Sequence, residues 1–125
     1  MSQHRKHRGY ASQRILAKYL ADHGFPYAES TGAGRSGSDV TGTRGIDWEV
    51  KARRGFPVTE AMKQMKERVK QGEIPIVVLR ADGMGPESIA NWPAIMPLGV
   101  LVWLLREAGY GDPNEGKDEG FNFKK

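Results

Sequence analysis

The chain has 125 residues, a formal net charge of +4 and no cysteine. That bounds it to one domain with one core, and it excludes a disulfide framework and a thiolate metal site. The charge is uneven: residues 1–70 hold 14 Lys/Arg against 7 Asp/Glu, and residues 71–125 hold 5 against 8, so the basic half suits a polyanionic partner or is a solvated basic face.

Residues 1–8 read as a basic extension that frays, and nothing near His4 and His7 completes a metal site. This end lacks an apolar h-region, and the longest apolar run, around residues 100–105, is too short to span a bilayer. Neither a secretory signal nor a membrane span is expected. A folded domain is expected over 9–111, followed by a polar, Gly-rich tail over 112–125.

Ile15, Leu16, Tyr19 and Leu20 form a helical stripe, which predicts a helix over 12–23 closed by Gly24 and Pro26. Gln13 borders the stripe, where it can face a neighbouring site, but reads most simply as a surface glutamine. A short strand is predicted over 25–30. Gly32, Gly34 and Gly37 then match GxGxxG spacing, but a turn-rich, strand-like SDVTGTRG follows instead of the helix that fingerprint needs. The glycines are read as a flexible loop whose backbone can approach a ligand.

Residues 38–41 are predicted as a strand carrying Asp39, 42–45 as a turn, and 46–52 as the second strand of a hairpin. In that second strand Ile46, Trp48 and Val50 alternate with Asp47, Glu49 and Lys51, the pattern of a half-buried strand. A helix over 57–71 starts on Pro57 and closes at Gly72. Val58, Met62, Met65 and Val69 are its expected buried stripe, Lys63, Lys66, Arg68 and Lys70 its outer face, and Gln64 lies on the flank. IPIVVL, 74–79, is continuous enough to be a strand buried on both faces, and strand–helix–strand makes a parallel crossover. The two prolines of 92–97 restrict it to an edge strand. Residues 98–108 read as a final helix, although their all-round apolar character also permits a buried strand. The order α-β-β-β-α-β-(β)-α is that of an α/β fold, a mixed central sheet flanked by helices.

Asp39 and Glu49 on adjacent strands would meet at one end of the hairpin, with Lys51 on the same face roughly 7 Å further along. Two carboxylates anchor a hard divalent cation, and an ammonium beside them orients water or stabilises a phosphate oxyanion. The Val50 backbone carbonyl and Asp47 are possible additional ligands. The alternative is a set of cross-strand surface charges on an ordinary sheet.

The Asp39, Glu49-Val50-Lys51 pattern resembles the core of the PD-(D/E)xK nuclease superfamily. The helix before it, the Gly-rich loop, and the basic helix after it follow the order of that family's restriction-endonuclease-like αβββαβ core, over about residues 9–82. The pattern is most similar to the small Holliday-junction-resolvase-like nucleases, many encoded by phages and actinobacteria. Ser38 stands where the family's name has proline. The resemblance implies Asp39 and Glu49 as metal ligands with the Val50 carbonyl, and Lys51 as the water-orienting lysine. It also implies Gln64 as the polar residue of the second helix. Gln13 stands near the family's first-helix glutamate, and Glu29 is a possible substitute for that acid.

Mg²⁺ is the implied cofactor, with Mn²⁺ able to substitute. Branched DNA is the implied partner and a homodimer the implied assembly, in the cytoplasm of a bacterial or phage-infected cell. Arg35, Arg44, Arg53, Arg54, Lys63 and Lys66 are the candidates for DNA contact. The alternatives are an exonuclease or nickase of the same fold on single-stranded or duplex DNA, and a non-catalytic nucleic-acid-binding module.

Overall fold

The computed structural model describes residues 3–32, 37–52 and 58–114, with side chains from residue 9 on. The elements run α1 (Gln3–Asp22), β1 (Glu29–Ser30), β2 (Val40–Thr41), β3 (Ile46–Lys51), α2 (Val58–Arg68), β4 (Ile74–Leu79), a 3-10 helix (Pro86–Asn91), β5 (Ala94–Ile95) and α3 (Leu98–Glu107). Among the described residues this is a mixed α/β arrangement with two small sheets, β1-β2 and β3-β4-β5.

The centre is β4. It pairs in parallel with β3, from Ile46↔Ile74 to Lys51↔Leu79, and antiparallel with β5 through Val77↔Ile95 and Val78↔Ala94. A parallel neighbour needs a crossover, and α2 provides it. The apolar run of β4 serves two faces. Ile76 and Val78 join Trp48, Val50, Leu16, Ala17 and Leu20 in the larger core on the α1 side, while Val77 joins Met65 and Ala61 on the α2 side. A strand sandwiched in this way has no face for water, hence no polar alternation.

Several expectations move. The first helix begins at Gln3 rather than near residue 12. Its opening Gln, Arg and Lys residues are good helix formers and nothing among them breaks the helix, so the basic extension is helical backbone. Residues 38–41 do not form a regular hairpin with β3. Instead β2 pairs with β1, through Glu29↔Thr41 and Ser30↔Val40. The predicted strand 92–97 shortens to β5 at the edge of the described sheet, and α3 is a helix.

The buried side of α2 is Ala61, Met65 and Val69, while Val58 is exposed. Met65 and Val69 are buried as expected and Met62 packs partly buried beside them, but small Ala61 takes the place of Val58 against the sheet. Arg68, expected to face solvent, instead turns onto Asp47 and Glu49. The Gly-rich loop at 33–36, the segment 53–57 and the tail from 115 lie outside the described residues.

Candidate functional site

The turn between β2 and β3 places the first acid. Gly42 has φ +82°, and a Cβ there would strike the backbone carbonyl of Tyr27, so only glycine lets the chain reverse this close to the preceding segment. Thr43 in the same turn is buried and accepts a hydrogen bond from Trp48 Nε1 at 2.8 Å, which ties the turn to the core.

Upstream, β2 peels away from β3, and side chains replace the missing ladder. The Asp39 N–H donates to the Trp48 carbonyl at 2.9 Å. The Trp48 N–H donates to Ser38 Oγ at 2.9 Å, and the Ser38 hydroxyl donates to the Val40 carbonyl at 2.6 Å. The Val50 N–H donates to Asp39 Oδ2 at 2.7 Å. Ser and Asp side chains commonly compete with sheet carbonyls in this way. The result fixes the Asp39 carboxylate beside the backbone of Val50, between Glu49 and Lys51.

On β3 the odd-numbered side chains carry the charge. Lys51 Nζ lies 3.0 Å from Glu49 Oε1. The other Glu49 oxygen, Oε2, accepts from Arg68 Nη1 at 2.8 Å. Arg68 also forks onto Asp47, with Nε to Oδ2 at 3.0 Å and Nη2 to Oδ1 at 2.7 Å, and Nη2 reaches the Trp48 carbonyl at 2.9 Å. Asp47 is only 4% exposed, so this fork is what allows a charged group there.

Asp39 forms no ion pair among the described residues. Burial, and secondarily the negative charge of Glu49, push its carboxyl from 3.8 up to about 6, against the opposing pull of the Val50 N–H, Arg68 and Lys51. A buried carboxylate whose ionisation a neighbouring acid also opposes is short of positive charge. With Asp39 ionised the cluster holds three acids against Lys51 and Arg68. No group of three or more His, Cys, Asp or Glu suited to a metal forms among the described residues. A Mg²⁺-type ion, however, is usually held by one or two carboxylates and completed by water or substrate oxygens. Asp39 and Glu49 fit that requirement.

The other sequence candidates divide. Gln13 is not a surface residue: its Oε1 is buried and has no hydrogen-bond partner among the described residues. Its neighbour Ser12 accepts from Arg80 Nη1, and the Arg80 N–H donates to the Lys51 carbonyl, so this turn of α1 passes the Lys51 end of β3. No hydrogen bond joins Gln13 to Asp39, Glu49 or Lys51 among the described residues. Glu29 sits opposite Thr41 and is exposed, outside the cluster. Gln64 is exposed on α2, one turn before Arg68.

Lys63 and Lys66 are exposed on the same helix. Arg44 lines a shallow depression with Tyr27, Val40 and Glu73 at the Ile46 end of β3, away from Lys51. Arg35, Arg53 and Arg54 lie outside the described residues. The residue that sequence reading missed is Arg68. The available signal was its spacing, since Arg68 falls three residues after Met65 and so shares the inward face.

No family profile, no curated protein and no solved structure matches the chain. No helix is long and apolar enough to cross a membrane among the described residues.

Proposed function

We propose that the chain is a metal-dependent DNA endonuclease with a restriction-endonuclease-like αβββαβ core, acting on branched DNA in the manner of a Holliday-junction resolvase. The observation that carries this reading is the gathering of Asp39, Glu49 and Lys51 around Val50 of β3, with Lys51 Nζ 3.0 Å from Glu49 Oε1 and Asp39 Oδ2 2.7 Å from the Val50 nitrogen.

Asp39 and Glu49 would hold a Mg²⁺ or Mn²⁺ ion. Such an ion supplies charge neutralisation at the phosphate and eases deprotonation of water. The chain's own groups do the remainder. Lys51, held by Glu49, presents an ammonium that orients the attacking water or meets charge developing on the phosphate oxygens. Arg68 keeps Glu49 from swinging away. The exposed cations Arg44, Lys63 and Lys66 offer phosphate contacts along a duplex.

Resolution of a four-way junction needs two symmetric cuts, so the active species is a homodimer. The face offered for it is α3, which presents Leu98, Leu101, Val102 and Leu105, each at least 40% exposed.

The deciding experiment is a substrate panel of four-way junction, flap, duplex and single strand, each with Mg²⁺, Mn²⁺ and chelator. Junction cleavage that requires metal and disappears in Glu49→Gln and Lys51→Ala supports the assignment. Parental cutting rates in either variant sink it. Preference for ends or single strands selects the exonuclease or nickase instead, and salt-sensitive binding without cleavage selects a binding module.

A further inference from the structure

We propose that Arg68 is the positioning residue of this carboxylate site, and that Asp47 serves as its anchor and not as a ligand of the ion; the inference rests on the nuclease reading above. Four hydrogen bonds fix the guanidinium: two to Asp47, one to the Trp48 carbonyl and one to Glu49. Both Asp47 oxygens are taken by the fork, and the residue is buried. Its side chain is 6% exposed against 15% for Glu49, so burial, and not the bond count, closes it to a cation and its waters. What it does instead is hold Arg68 in one orientation.

Glu49 is treated differently. Arg68 takes one bond at Oε2 and Lys51 one at Oε1. A carboxylate has about four lone-pair positions, so roughly half remain for an ion while the group is gripped from both ends. A free glutamate must give up three side-chain torsions when it ligates. This one has already lost them to α2.

The role needs arginine in particular. A lysine ammonium keeps the charge but lacks the planar fork that spans Asp47, Trp48 and Glu49 together. Outer partners of this kind fix ligand orientation, and their loss typically lowers metal affinity about 10- to 100-fold.

The test measures Mn²⁺ binding by electron paramagnetic resonance titration on the full chain without DNA. The double variant Asp47→Leu/Arg68→Met removes one negative and one positive charge together, so the net charge of the site is unchanged and the readout reports geometry. Arg68→Lys keeps the cation and removes the fork. The expected result is a Mn²⁺ dissociation constant raised about tenfold or more in both. Cleavage rates should recover at saturating metal, because Asp39, Glu49 and Lys51 are intact.

A purely structural role would lower the folded fraction without moving the dissociation constant of the folded molecules. Constants equal to or below the parental value, in variants folded by circular dichroism, overturn the inference and leave the metal site standing. If the double variant does not fold, Arg68→Lys alone decides. A parental chain that binds no Mn²⁺ overturns the nuclease reading itself, and the positioning role falls with it.

Discussion

Asp39→Asn should make the protein more stable at neutral pH and, on the proposed nuclease reading, remove a ligand of the ion. The folded chain pushes the Asp39 carboxyl from 3.8 to about 6, burial being the largest cause. The neutral form is therefore favoured by folding. The contribution from Asp39 is full below about 3.8 and is lost as pH rises through about 6. The gap between those values corresponds to about 3 kcal/mol in total, of which about 2 kcal/mol falls between pH 4.5 and 8.

Asparagine cannot ionise, so it avoids this loss, and its side-chain oxygen can still accept from the Val50 N–H. Whatever the neutral hydrogen bond costs is nearly the same at every pH and cancels in the difference. The assay is urea unfolding of parent and variant in chelator, at steps from pH 4.5 to 8. The variant should gain about 2 kcal/mol on the parent across that range. Added Mn²⁺ should then stabilise only the parent, by about 2.7 kcal/mol at a hundredfold excess over the dissociation constant. A parent–variant difference that stays flat with pH would refute the reasoning, because it would mean Asp39 titrates alike in the folded and unfolded chains.

Gly42→Ala combines a positive φ with a collision against the Tyr27 backbone, and should cost at least about 2 kcal/mol in urea unfolding; a loss under 0.5 kcal/mol would show that the turn relaxes freely. Thr43→Val deprives the buried Trp48 Nε1 of its acceptor and should cost about 1–3 kcal/mol, read from the same curves. The exposed pair Lys63→Ala/Lys66→Ala should weaken DNA binding uniformly across sequences and flatten the slope of log affinity against log salt by about 1.8, if each contacts one phosphate; an unchanged slope removes both from the interface. Leu101→Lys on the exposed face of α3 should shift sedimentation equilibrium toward monomer and reduce paired junction cuts to single nicks; an unchanged dimer places the interface elsewhere.

The sequence carried the parts of the fold whose signal is local. The unbroken run 74–79 and the alternation at 46–51 translate directly into β4 and β3, although Arg68 of α2 also covers the charged face of β3 and Asp47 there is buried. The closeness of Glu49 and Lys51 follows from the same alternation, since residues two apart share a side, whereas the position of Asp39 does not. What did not show was anything decided by tertiary contact. A helical wheel sets Arg68 near the face of Met65, but an arginine there looks like a solvent residue until a buried Asp47 is found beneath it. The hairpin was misdrawn for a related reason: Ser38 and Asp39 supply side-chain acceptors where the sequence implied backbone ones, and β2 pairs with β1 instead. Gln13 was read as surface because its apolar neighbours alone do not reveal that its carbonyl is enclosed.

The bond from the Val50 amide to Asp39 Oδ2 gives the molecule a built-in gauge. That proton is held by a group whose charge, on the reading above, an arriving ion would also claim. Its exchange with deuterium and its nuclear resonance should therefore register the ion's coming and going at a backbone N–H beside the carboxylates. Occupancy could then be followed in a chain that is not turning over.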